Sequence, residues 1–218
     1  MGVAGAAIAT IIAQFVSGLL CILYIRKRFP VLWISKEDLK FNRFEIIQHL
    51  KIALPMAFQM SIIAIGAIML QFSLNGLGAD AVAAYTAAQR IDMMATQPMM
   101  SFGTTMATYT AQNYGAGKLE RIKSGVRQCA MISVGFSILV GLVMFFAGGF
   151  LVRIFVDASE RQVISDATAY LKLNGSLYSI LALLFIFRFT LQGLGKTFIP
   201  TIAGVMELVM RAIGAVIL

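Results

Sequence analysis

The chain has 218 residues, 59% hydrophobic and only 13% charged, with 18 Lys and Arg against 10 Asp and Glu for a net charge of +8. A soluble domain carries about 25% charged residues, and so few charges cannot clothe a water-facing surface. Long apolar runs in place of a polar, basic face argue against nucleic acid as the meaning of the positive charge. Cys21 and Cys129 both fall inside apolar runs, which argues against a disulfide framework or a metal cluster.

Six apolar runs follow one another along the chain, at 2–25, 52–77, 82–114, 129–152, 167–192 and 198–218. A helix needs about 20 apolar residues to cross the hydrocarbon core. Only helices and closed barrels satisfy their backbone in lipid, and none of these runs alternates as a barrel strand does. The expected fold is an all-α integral membrane protein, a polytopic bundle with six spans. The first run is rich in Gly and Ala, which lets helices approach closely. It lacks a basic leading segment, so it does not read as an ordinary signal peptide. Met1-Gly2 opens inside one apolar run and Leu218 closes inside another, which suggests a piece of something longer.

Pro55 and Pro200 are placed in the first turns of their helices, where a missing N–H costs nothing. Pro98 falls inside the third run, as a bend for packing or a hinge. The third and fifth runs end alike, in Gly115-Ala-Gly117-Lys118 and Gly193-Leu-Gly195-Lys196. Glycine followed by a cation is helix-stop chemistry. Neither segment has the upstream glycine of a phosphate-binding loop.

The basic residues mark alternate connections. Arg26, Lys27, Arg28, Lys36, Lys40, Arg43 and Lys51 lie between the first two runs, Lys118, Arg121, Lys123 and Arg127 between the third and fourth, and Lys196 between the last two. The intervening connections are acidic or mixed, with Asp80 in one and Arg153, Arg161, Asp157, Glu160 and Asp166 in the other. The positive-inside rule then places loops 26–51, 115–128 and 193–197 in the cytoplasm of a multi-pass plasma (inner) membrane protein. The long connection, with Trp33, Phe41 and Phe44, has the makings of an amphipathic surface element.

Polar groups at membrane depth are functional candidates by default. In the third run Arg90, Gln97, Ser101, Thr104, Thr108 and Gln112 recur at helical spacing and form one stripe. Such a stripe faces other helices or water. The run is roughly 50 Å long as a helix, so Arg90 and Asp92 fall near its outer rim, as an interfacial pair or as part of a cavity. In the fifth run Asn174, Tyr178, Arg188 and Gln192 share a face, with Arg188 near the inner end where it can snorkel. Glu207 and Arg211 stand one turn apart, the favourable order for an ion pair. The alternative is a carboxylate that responds to protons or cations. Gln59, Gln71 and Asn75 are the polar side chains of the second run, and His49 sits at its inner edge. Met93, Met94, Met99, Met100 and Met106 are core filler or a pliable lining. No nucleophile–base or HExxH arrangement is present, so an enzyme is not expected.

Several segments resemble the multidrug and toxic compound extrusion (MATE) family: Gly2 to Thr10 (GVAGAAIAT), Ala53 to Gln59 (ALPMAFQ), Ala83 to Arg90 (AAYTAAQR), Ala111 to Gly117 (AQNYGAG) and Leu191 to Gly195 (LQGLG), followed by Pro200. Their order and spacing extend over nearly the whole chain. Glu207 and Arg211 also match an E-x-x-x-R pattern frequent in helices of the family.

The resemblance implies an incomplete part of a twelve-helix, two-lobe transporter. Residues 1–25 would be the last helix of the N-lobe, 26–51 the cytoplasmic linker between lobes, and 52–218 helices seven to eleven of the C-lobe. The orientation obtained from charge agrees with that order. The implied function is secondary active transport: antiport coupled to Na+ or H+ that exports cationic and amphipathic drugs and xenobiotics by alternating access. The partners would be small organic cations, the lipid bilayer and the missing N-lobe helices, with no nucleic acid and no cofactor beyond the coupling ion. Some branches of the family place a cation-binding acid on helix seven or ten, and neither corresponding run has one here. The cavity candidates are Gln59, Asn75, Arg90, Asp92, Gln97, Ser101, Thr104, Thr108, Asn174, Tyr178, Arg188, Glu207 and Arg211. A flippase or exporter for lipid-linked saccharides in the same superfamily, and a non-transporting structural subunit, are the alternatives.

Overall fold

The computed structural model describes residues 2–29 and 42–217, with side chains over 4–29 and 42–214. Six helices account for almost all of them: α1 (Gly2–Arg28), α2 (Arg43–Gly76), α3 (Ala79–Gly115), α4 (Leu119–Val152), α5 (Arg161–Gly193) and α6 (Phe198–Ile217). There is no strand among the described residues. Four segments, Ala4–Arg28, Arg43–Gly76, Leu119–Val152 and Arg161–Gly193, are long and apolar enough to span a bilayer. α3 is longer than any of these, and it is the polar stripe that keeps it out of that group. α6 is the shortest helix, at 20 residues. The all-α membrane bundle expected from the sequence is the fold observed.

The chain divides into two units, residues 1–47 and 48–218. The first holds α1, with Ile11, Ile12 and Leu20 exposed on different sides and Thr10, Gln14 and Ser17 on one face at helical spacing. Trp33 and Phe41, expected on a surface element, lie outside the described residues.

The second unit is built on α3, α4 and α5, which pack against one another, with α6 beside α5. Without water to drive association, helices in lipid cohere through close packing, which favours small residues. α5 buries Val163, Ala167, Leu171, Gly175, Tyr178, Ala182, Ile186 and Thr190, one every three or four residues. α4 answers with Ser133, Ser137, Gly141, Met144 and Gly148. Gly141 and Gly175 let the two backbones nearly touch: a Cβ on Gly141 would come within 2.5 Å of the Gly175 carbonyl oxygen.

Four helices start earlier than their apolar runs, α2 by nine residues, α3 by three, α4 by ten and α5 by six. Charged residues end the membrane span without ending the helix, because Arg, Lys and Glu are good helix formers. Pro55 is therefore inside α2 and not in its first turn as expected. Pro200 does sit in the first turn of α6, and α3 continues through Pro98. The two matched helix ends close identically. Gly117 and Gly195 have φ of 71° and 72°, and the amide after each glycine bonds back five residues, Lys118 to Asn113 and Lys196 to Leu191. This is the left-handed glycine stop.

Candidate functional site

α3 has two unlike faces. Ala84, Ala88, Ile91, Ala95, Met99 and Met106 are buried against α4 and α5. Arg90, Gln97, Ser101, Thr104, Thr108 and Gln112 are exposed along the other side. The stripe hydroxyls are bonded to their own helix, Ser101 to the Gln97 carbonyl and Thr104 to that of Ser101. They make no bond to α4 or α5, so the stripe is not what holds the bundle together. At one end Thr104, Thr108 and Gln112 join Ile52, Met56 and Gln192 around a cleft of about 540 Å³.

Asp92 does not pair with Arg90. It turns to α5, where the Tyr178 hydroxyl donates to its Oδ1 at 2.7 Å and Asn174 Nδ2 donates to the same oxygen at 3.3 Å. Tyr178 is 1% exposed. Both bonds form because the 174–178 step is one helical turn, which stacks the two donors on one face of α5. Tyr85 and Tyr170 meet edge to face beside the cluster, with ring centroids 5.5 Å apart. Arg90 lies elsewhere, lining a small surface recess with Thr86, Phe155 and Val156.

A second cluster joins α5 to α6. Glu207 accepts from Arg211 Nη2 at 2.6 Å on one oxygen and from Arg188 Nη2 at 3.3 Å on the other. The Arg188 side chain is 12% exposed. It reaches α6 and so is not simply directed to the membrane surface. The Arg211 stem passes α2 at Gly66, where an added Cβ would lie 3.3 Å from Arg211 Cδ. One turn or more away, buried Gln59 of α2 donates to the Pro200 carbonyl at 3.1 Å and accepts from Gln192 at 3.1 Å. Thr201 donates to the Pro55 carbonyl at 3.0 Å. Asn75 is exposed and accepts from Gln71 within α2. Thirteen candidate positions thus resolve into an Asp92 cluster, a Glu207 cluster, the α3 stripe, and Gln59 and Asn75 on α2.

The MatE family profile matches residues 55–217. The chain belongs to the MatE family. It is 27% identical over 195 residues to the probable multidrug resistance protein YpnP of Bacillus subtilis (strain 168), covering 89% of this chain and 43% of that protein. It is also 27% identical over 211 residues to the probable multidrug resistance protein NorM of Thermotoga maritima, covering 93% of this chain and 43% of that one. The crystal structure of a MATE protein in complex with MaL6 superposes with a TM-score of 0.88 at 20% identity, over 98% of this chain and 49% of that chain. The chain therefore spans less than half the length of these relatives, and the shared fold extends over nearly all of it.

Within this MatE chain, the described residues gather no group of three or more His, Cys, Asp or Glu side chains able to hold a metal. The polar groups that converge are the Asp92 carboxylate, the Tyr178 hydroxyl and the Asn174 amide nitrogen. Tyr85, Tyr170 and Thr201 were not singled out in the sequence. Their signal is positional only, since each meets a partner on a different helix, Tyr85 with Tyr170 and Thr201 with the Pro55 carbonyl.

Proposed function

We propose that the chain forms one wall of a secondary active transporter that exports cationic, amphipathic compounds by antiport with Na+ or H+, through alternating access. Its membrane is the plasma membrane, with segments 26–51, 115–128 and 193–197 on the cytoplasmic side, and a complementary lobe supplies the opposite wall. Membership of a family whose relatives are named for multidrug resistance supports export of drugs. The observation that carries cation coupling is the Asp92 carboxylate of α3, held by donors from α5. A carboxylate between two helices links charge to helix position: binding a proton or Na+ replaces the acceptor that Tyr178 and Asn174 share. The exposed Gln97–Thr108 stripe lies on the opposite side of the same helix and gives the organic substrate a wet wall, so that α3 carries the cation site on one face and the substrate surface on the other.

The test uses cells expressing the reading frame that contains this sequence, loaded with a fluorescent organic cation. Asp92→Asn is expected to slow efflux at least about ten-fold, the scale of one lost charged partner, at unchanged protein level. Replacing external Na+, or collapsing the pH gradient, then tells which ion drives the wild type. Efflux that Asp92→Asn leaves intact would remove the acid from the coupling step.

A further inference from the structure

The outer wall of α4 and α5 carries a cleft that the transport reading does not use. It measures about 790 Å³ and lies where α4 ends, α5 begins and the 153–160 connection turns between them. Arg161, Ser165, Thr168 and Lys172 form one face of α5, at steps of four, three and four residues, and Arg153 closes α4 opposite them. Ala158, Ile164 and Ala169 complete the lining. Gly149 keeps the α4 side low: a Cβ there would come within 3.5 Å of Thr168 Oγ1.

Three cations and two hydroxyls meet in this cleft, and no acid lines it. The ion pairs among the described residues involve none of Arg153, Arg161 and Lys172. Asp166, the nearest acid along α5, is occupied by Gln162. Lys172 is the deepest cation. A helical side chain leans toward the helix N-terminus, which here aims Lys172 up the cleft toward Thr168 and Arg161. Its ammonium lies 5.4 Å from the Phe145 ring centroid, a cation–π contact with the apolar flank of α4. The arrangement is cationic at the turn and apolar below it.

We propose that this cleft binds the headgroup of an anionic phospholipid. Arg153 and Arg161 contact the phosphodiester from the connection end, Lys172 reaches it from below, and Ser165 donates a hydrogen bond, the Thr168 hydroxyl being engaged with the Ile164 carbonyl. The apolar flank of α4 around Phe145 and Phe146, the latter 80% exposed, receives the acyl chains. Basic recesses between membrane helices at headgroup depth have this recognition chemistry. The site needs no particular orientation of the chain, because either leaflet can supply such a lipid.

The purified chain in detergent is titrated with phosphatidylglycerol or phosphatidylcholine of matched acyl chains, and bound lipid is counted by native mass spectrometry. The wild type is expected to prefer phosphatidylglycerol by about 100-fold, the sum for three cations near a membrane surface. Lys172→Gln is expected to lower that preference about five-fold, and the combination of Arg153→Gln, Arg161→Gln and Lys172→Gln to abolish it. Lys118→Gln, at the other end of the bundle, leaves it unchanged. Helix content by circular dichroism confirms that each variant is folded, and Lys172→Gln alone suffices if the triple variant is not. Equal retention of the two lipids by the wild type, or no loss of preference in folded Lys172→Gln, overturns the proposal. Displacement of phosphatidylglycerol by an equal concentration of inorganic phosphate would also overturn it, by showing that the anion is a soluble one.

Discussion

The α3–α4–α5 trio and the α6–α2 side of the bundle are held by different physics. The trio meets through small residues that bring backbones together, as at Gly141 and Gly175. α6 is fastened by polar groups on long side chains: Glu207 to Arg188, Gln59 to the Pro200 carbonyl, Thr201 to the Pro55 carbonyl. Close packing has one arrangement and loses it abruptly when a side chain is added. Polar ties between membrane helices are individually weak, about 0.6 kcal/mol on average, because the groups find other partners when released. α4 and α5 therefore behave as a rigid block, with α3 tied to it through Asp92 and α6 with α2 as the part freest to shift. In an alternating-access transporter, the second kind of attachment belongs where motion occurs.

The largest effect is expected at the rigid block. Gly141→Val places branched carbons against the Gly175 carbonyl, and backbone cannot yield as a flexible side chain would. Overpacking of this kind costs about 3 kcal/mol. Thermal unfolding in detergent should show a lowered midpoint, and a midpoint unchanged from wild type would mean that α4 and α5 are not locked at this point.

Next comes the cluster on the movable side. Glu207→Gln leaves Arg188 and Arg211 facing each other without the carboxylate charge and with one acceptor oxygen in place of two. Losing a charged hydrogen-bond partner costs about 2 kcal/mol, reduced here because the Glu207 side chain is 35% exposed. The comparison is sharpened by where the loss is felt. Amide exchange should quicken in α6 and stay slow in α4 and α5. Uniform quickening across all helices would show that α6 is part of the rigid block after all. A double-mutant cycle of Glu207→Gln with Arg188→Gln isolates the α5–α6 tie from the local pair with Arg211.

These two clusters also show how much of the site the sequence discloses. Glu207–Arg211 is readable because the partners are one turn apart on a single helix. Arg188–Glu207 and Asp92–Tyr178 depend on how far one helix slides along another, a register that no local pattern encodes. The six helices are readable because apolar runs this long have few alternatives in lipid. Their true starts at Arg43, Leu119 and Arg161 are not, because the same charges that mark the membrane edge are compatible with helix on both sides of it. The glycine stops at Gly117 and Gly195 are readable because the left-handed turn demands that residue type.

Tyr178→Phe removes one donor to Asp92 and keeps the ring that packs in the core. The expected stability change is about 1 kcal/mol, since Asn174 still donates to the same oxygen. Efflux is expected to respond more than stability does, if Asp92 links charge to helix position as proposed. Loss of stability without any change in the Na+ or pH dependence of efflux would make Tyr178 a packing residue only.

The smallest effect is expected at Thr201, and its smallness is informative. The hydroxyl donates to its own helix at the Thr197 carbonyl, 2.9 Å away, and across to the Pro55 carbonyl at 3.0 Å. Pro55 has no N–H, so α2 lacks the backbone bond to the Lys51 carbonyl one turn earlier, while the Pro55 carbonyl itself takes the Thr201 hydroxyl as an additional donor. Thr201→Val keeps the shape and removes only the tie, at an expected cost of about 0.6 kcal/mol. A loss several times larger would place the α2–α6 contact with the close-packed interfaces, and the mobile element of the lobe would then have to be sought elsewhere. A loss of the expected size, together with faster exchange confined to α2 and α6, would mean that a few weak hydrogen bonds are what hold the resting position.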